Sequence, residues 1–373
     1  MKNVIKIFAM TLLGAAALAS CSDWTDAEAL EYESSMTESK HGEAYYANLR
    51  AYKAEPNHPK AFAWYSDWTG VGADMRGQLM GMPDSMDFVS MWGNWYGLSE
   101  EKKEDLRKVQ QIKGTRVLMC FIVDNIGVQT TPPEVRSTWT VDGVKYNSEG
   151  EALGAFWGWY QQGANGAQYG DTSAEGREKA IRKYANSIVD TINKYGWDGF
   201  DYDLEPNYGT PGSIASHADR NTIFLDELSK HFGPKSGTNR LLVVDGEPDK
   251  LAAECGEMLD YFLLQAYNDS TIGSIDNRLN TLFNKYGSVM SREEIVRKTI
   301  LTVNFESYAS TGGGNFTDRN GKSMFRLKGY ATYTYAGVDA KIGGFGSFRM
   351  GFDYDNNYGY VREAIQAANP AIY

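Results

Sequence analysis

Short apolar runs alternate with longer amphipathic stretches along most of the chain. Strand-like runs of β-branched and aromatic residues fall at Ala61–Trp68, Met86–Trp92, Arg116–Asp124, Gly199–Leu204, Leu241–Asp245, Tyr261–Tyr267, Thr299–Phe305 and Gly343–Met350. Between them, helical spacing of apolar residues predicts helices at Glu100–Lys113, Arg177–Lys194, Asn221–Phe232, Lys250–Glu257, Ile275–Lys285 and Arg292–Lys298, with another before the first strand, near His41–Ala54. Ser291 with Glu294 fits a capping box, and Gly196 stands where a helix C-terminal glycine belongs. Eight strands alternating with helices imply parallel β-α units closed into a single (β/α)8 TIM barrel of the α/β class. The surplus length is placed in extended loops at the C-terminal face of the strands. The aromatic segment 126–175 is one, with a helix expected at Ser148–Gln161. Residues 311–341 are another, expected to turn back as a hairpin through Gly312-Gly313-Gly314.

Gly199–Leu204 carries the densest chemistry. In Asp198-Gly199-Phe200-Asp201-Tyr202-Asp203-Leu204-Glu205, side-chain alternation puts Asp201, Asp203 and Glu205 on one face and Phe200, Tyr202 and Leu204 on the other. In a barrel the apolar face packs outward on the helices, which drives the three carboxyls into the lumen. Buried carboxylates are costly alone, so they share protons, bind a metal or are held by hydrogen bonds. A polar core network, a Mg²⁺ or Ca²⁺ site and acid/base chemistry all follow from such a triad. The four histidines, His41, His58, His217 and His231, have no ligand spacing and are expected at the surface, so no zinc site is expected.

The N-terminus has a separate pattern. Lys2 and Lys6 precede the apolar run Ile7–Leu18, too short to span a bilayer, and the segment ends Leu18-Ala19-Ser20-Cys21. It resembles a bacterial lipoprotein signal, which implies cleavage after residue 20 and lipidation of Cys21. Residues 21–60 then form an acidic tether with the first helix, and 61–373 the barrel. The implied location is the bacterial outer membrane, at the cell surface. Membrane contact is expected only through the lipid.

Composition narrows the partners. The 373 residues are 42% hydrophobic and 23% charged, with formal net charge −11. Removing residues 1–20 leaves 35 basic against 48 acidic residues, so nucleic acid is not an expected partner. Cys120, inside an apolar strand, and Cys255 are expected to be free thiols.

The run Asp198-Gly199-x-Asp201-x-Asp203-x-Glu205, on the fourth strand, resembles the signature of glycoside hydrolase family 18. Chitinases, endo-β-N-acetylglucosaminidases and catalytically dead lectins share that family. The resemblance implies that Glu205 is the general acid and then base, that Asp203 aligns the substrate's 2-acetamido group as the internal nucleophile, and that Asp201 sets the protonation of Asp203. Asp198 would serve structure. On the sixth strand Gln265-x-Tyr267 resembles the endo-β-N-acetylglucosaminidase branch, in which such residues contact the acetamido group and the −1 sugar. The implied substrate is the N-glycan chitobiose core, cleaved without metal or organic cofactor. Chitin oligosaccharides and non-catalytic glycan binding are the alternatives. Asp245 and Glu247, ending the fifth strand, are candidates for sugar hydroxyls or for capping the next helix. Trp64 is a candidate platform, and Phe348 stands where many chitinases carry the tryptophan that floors the −1 subsite. A monomer is expected, with components of a glycan-uptake system as further candidate partners.

Overall fold

The computed structural model describes residues 41–72, 74–208 and 212–370. Cys21, the signal segment and the tether to residue 40 lie outside them. Eight strands close into a barrel: β1 Lys60–Tyr65, β2 Phe88–Trp92, β3 Arg116–Ile122, β4 Gly199–Leu204, β5 Leu241–Gly246, β6 Tyr261–Leu264, β7 Thr299–Asn304 and β8 Gly344–Phe348. Every neighbouring pair is parallel, and β8 pairs with β1 to close the ring. The (β/α)8 expectation is met.

Alternation along the strands divides the apolar residues into two cores. Phe62, Trp64, Phe88, Leu118, Cys120, Val243, Leu263 and Ile300 fill the lumen. Phe200, Tyr202 and Leu204 belong to the outer core between strands and helices. Asp201 and Asp203 are thereby buried inside the barrel, at 0% and 2% exposure.

The main helices among the described residues are α1 Glu43–Ala54, α2 Glu100–Lys108, α3 Glu149–Trp157, α4 Ala174–Tyr195, α5 Ala218–Ser229, α6 Ile272–Tyr286, α7 Arg292–Lys298, α8 Arg326–Ala331 and α9 Gly359–Ala368, with two short ones at Pro133–Thr138 and Phe305–Tyr308. The Ser291–Glu294 capping box forms at α7, and Gly196 ends α4 in the left-handed conformation at φ 78°.

Three expectations are corrected. Lys250–Glu257 is not an α-helix: two 3-10 turns, Pro248–Lys250 and Ala253–Met258, replace it. Leu251, Cys255 and Leu259 are buried at helical spacing, but Gly256 lies so close to the Tyr286 ring that a Cβ there would come within 2.7 Å. The helix expected to run to Gln161 ends at Trp157, where Gly158 takes φ 96°, and Trp159–Gln161 pairs with Gln168–Gly170 as a hairpin. The hairpin after β7 pairs Asn315–Thr317 with Ser323–Phe325, so the chain reverses at Asp318–Lys322 and not at the three glycines. Cys120 and Cys255 are both free and buried.

Gly199 opens β4 with φ 145°, and a Cβ there would lie 2.0 Å from the Leu241 carbonyl oxygen. The glycine lets β4 and β5 approach closely enough to aim the acidic side chains inward. Gly199→Ala should destabilise the fold by about 2–3 kcal/mol through strain and displaced backbone, read from the urea unfolding midpoint. An unchanged midpoint would remove that role.

Candidate active site

Asp198 precedes β4 and anchors it. Its Oδ2 accepts from the backbone N–H of Val117 and from Gln110 Nε2, both at 2.8 Å. Inside the lumen the Trp64 indole N–H donates to Asp201 Oδ2 at 3.1 Å. Burial raises Asp201 to about 6. Asp203 is held well above the ordinary carboxylate range, first by burial and then by the charges of Glu205 and Asp201. Asp245 stands beside Asp203 in the β4–β5 register and is raised well up by burial and then by Asp203 and Asp201. The Oδ1 atoms of Asp201 and Asp203 and Oδ2 of Asp245 are buried and accept no hydrogen bond from donor groups of the described residues. Carboxyl protons held among neighbouring acids satisfy such oxygens and lower the charge of the cluster.

Glu205 lies beyond the strand end, at the mouth. Gln265 Nε2 donates to Glu205 Oε1 at 2.6 Å and to Asp245 Oδ1 at 2.9 Å, so one amide ties the half-buried acid at the mouth to the buried one. The carboxylates of Asp203, Glu205 and Asp245 come within 4.8 Å of one another, as do Cys120, Asp201 and Asp245 around a second centre. Asp245 therefore enlarges the acidic triad seen in the sequence. Such carboxylates can hold a cation. Raised proton affinity and a donated amide offer the same cluster a way to exist without one.

The β6 ladder stops at Leu264, short of the expected Tyr267, yet Gln265 and Tyr267 both line the cleft above the lumen. The Arg326 guanidinium donates to the Tyr267 carbonyl and fixes the chain as it leaves the barrel. Burial, then the charges of Asp245, Asp203 and Glu205, push the Tyr267 phenol far up, so it acts as an O–H donor. The cleft encloses about 480 Å³, with Glu205 and Asp203 in its wall.

Phe348, the last residue of β8, sits among aromatics at 5.9 Å from Trp92 and 6.2 Å from both Trp64 and Tyr267, centroid to centroid. Trp64 is only 2% exposed, so it supports the cleft from beneath and is not a free platform. Glu247 is not brought to the cleft. It accepts from Asn207 Nδ2 at 2.7 Å and makes no helix cap, being followed by a 3-10 turn. His58, expected at the surface, is half-buried against Asp87 with Nε2 2.7 Å from Oδ1.

Trp92, one of the tryptophans clustered near the first two strand ends, lines the cleft, and so do Asn304 and Tyr208, which nothing in the sequence singles out. Trp92 and Asn304 are the final residues of β2 and β7, the positions at which barrel strands deliver side chains to an active site. Tyr208 is 71% exposed on the loop after Glu205, with no periodic signal to single it out.

No curated protein matches this chain. A solved structure of BT1044, as a Glu-to-Gln variant, is 30% identical, with 90% of this chain and 97% of that chain covered and a TM-score of 0.72. An endo-β-N-acetylglucosaminidase from Cordyceps militaris is 20% identical in its apo form, covering 90% of this chain and 99% of that one at TM-score 0.57, and shows the shared fold. A variant of the fungal enzyme, solved with fucosyl-N-acetylglucosamine-Asn, is 18% identical, covering 89% and 98% at TM-score 0.55. The family model for glycoside hydrolase family 18, BT1044-like, matches residues 25–156 and 158–367. With that match over almost the whole barrel, the chain belongs to glycoside hydrolase family 18.

Proposed function

We propose that the protein is an endo-β-N-acetylglucosaminidase that hydrolyses the GlcNAc-β1,4-GlcNAc core of N-glycans with retention of configuration. The observation that carries this reading is Gln265, whose amide joins Glu205 at the cleft to Asp245 in the lumen. One neutral donor holds the acid's carboxylate in place and stands where an acetamido group would meet Glu205 and Tyr267. Glu205 protonates the leaving oxygen and then activates water. Asp203 lies close enough to Glu205 to invite comparison with an enzymic nucleophile, since such pairs stand about 5 Å apart. But burial and the charges of Glu205 and Asp201 raise its proton affinity, which weakens it as a nucleophile. The substrate's own acetamido oxygen is then the nucleophile, tethered at high effective molarity, with Asp203 receiving its N–H. The fungal neighbour's complex with fucosyl-N-acetylglucosamine-Asn supports a glycan of this kind. In the same proposal Cys21 carries lipid at the outer membrane, with the barrel at the cell surface acting beside a glycan-uptake system.

The test is intact mass of glycoproteins bearing high-mannose or biantennary complex N-glycans after incubation with the protein. Stepwise losses that leave one GlcNAc on each Asn are expected. Cleavage of chitooligosaccharides without those losses would make the protein a chitinase. Binding of glycan without any cleavage would make it a lectin. A matched substrate lacking the 2-acetamido group should not be cut, and equal turnover would remove substrate assistance.

A further inference from the structure

The end of the barrel opposite Glu205 carries an unassigned cavity of about 190 Å³, lined by Arg50, Lys53, Lys60, Asp87, Arg116 and Tyr261 among others. Lys60, Arg116 and Tyr261 are the first residues of β1, β3 and β6. Phe62 on β1, Leu118 on β3 and Leu263 on β6 are lumen residues, so alternation turns these three first residues inward too. Arg50 and Lys53 reach the cavity from α1. Four cationic side chains thus converge where one carboxylate is present, in a protein of net charge −11.

That carboxylate is already committed. Asp87 Oδ2 accepts from the Ala61 N–H at 2.8 Å, and Oδ1 lies 2.7 Å from His58 Nε2 and 3.8 Å from Lys60 Nζ. Arg50 donates to the Ile112 carbonyl at 2.8 Å and pairs with the exposed Glu43. Lys53, 9% exposed, donates to the Thr115 hydroxyl at 2.7 Å, and burial lowers its ammonium to about 7 although Asp87 opposes the fall. Lys113 faces away, paired with Asp84 at 2.7 Å, and its charge adds to the strain on Lys53. Asp198 and Asp260 lie near Arg116, yet each is spent on a backbone N–H, of Val117 and Leu242. Among the described residues the half-buried Arg116 guanidinium has no hydrogen bond or ion pair of its own. An inward-facing planar fork with free N–H groups matches the geometry of a bidentate oxyanion.

We propose that this cavity binds a phosphate-type oxyanion, with Arg116 as the bidentate donor and Lys60 and Lys53 completing its charge, free or as the headgroup of an anionic lipid. The anion would join β1, β3 and α1 at the base of the barrel and take no part in hydrolysis. Its binding raises the proton affinity of Lys53, so affinity falls as pH rises above neutrality.

Thermal unfolding of the full chain, titrated with inorganic phosphate against chloride at matched ionic strength, tests the site. A saturating rise in Tm is expected, about 5 °C at a hundredfold excess over Kd. Arg116→Met should lose that rise while glycan hydrolysis stays as in the unchanged protein. Calorimetric titration of phosphate into the unchanged protein keeps the test decisive if the variant folds poorly. No saturable effect in either measurement, or an equal rise in a folded Arg116→Met, overturns the proposal. Co-sedimentation with phosphatidylglycerol vesicles then assigns the source: binding that Arg116→Met abolishes marks a lipid headgroup, and phosphate binding without vesicle binding marks the free ion.

Discussion

Glu205→Gln should lower hydrolysis of the chitobiose core by at least about 10³-fold while glycan binding persists. A general acid contributes about 10²–10⁴ in rate, and here the same group must also activate water in the second half of the reaction. The amide is nearly isosteric, and it keeps an oxygen to accept the Gln265 Nε2–H that now reaches Glu205 at 2.6 Å. It carries no proton at the strength needed to release a sugar alkoxide. The geometry of the cleft therefore survives and the chemistry does not. Turnover on a glycoprotein by mass, beside calorimetric titration of a released glycan, separates the two. A rate within tenfold of the unchanged protein would take Glu205 out of the mechanism, and loss of binding alongside the rate would show that the substitution had rearranged the cleft.

Much of this site follows from a period of two. Phe200, Tyr202 and Leu204 need an apolar outer shell, which forces Asp201 and Asp203 into the lumen with no knowledge of the rest of the barrel. Gln265 and Tyr267 were legible through the same parity, and they reach the cleft although the ladder ends before them. What escaped depends on contacts distant in sequence. The match of Asp245 to Asp203 is a register between strands, set where β5 meets β4, and alternation within one strand cannot express it. Nothing in the sequence around His58 points to Asp87, which stands just before the neighbouring parallel strand β2 and pairs with it there. The 3-10 turns after β5 were hidden by helical spacing, since Leu251, Cys255 and Leu259 are buried at intervals of four residues.

Asp203→Asn should cost activity by about 10²–10⁴-fold yet leave the protein more stable at neutral pH and above. The two effects have one origin. Burial and the charges of Glu205 and Asp201 raise Asp203 in the folded protein well above its unfolded value. Between the two values the native state holds a proton that the unfolded chain has released, so stability falls as pH rises through that window and stays reduced above it. Asparagine has no proton to lose, so the variant escapes that part of the fall. Asp245 and Asp201 keep a share of their own because burial raises both, although that of Asp245 shrinks as it loses the charge of Asp203. The Tm of Asp203→Asn minus that of the unchanged protein should therefore grow from pH 4 to pH 8. The activity falls because the asparagine amide has one carbonyl oxygen for the acetamido N–H and cannot take up negative charge as the oxazolinium-like cation forms. A difference in Tm that is flat with pH would mean that Asp203 is ionised in the folded protein, and the argument against it as an enzymic nucleophile would go with it.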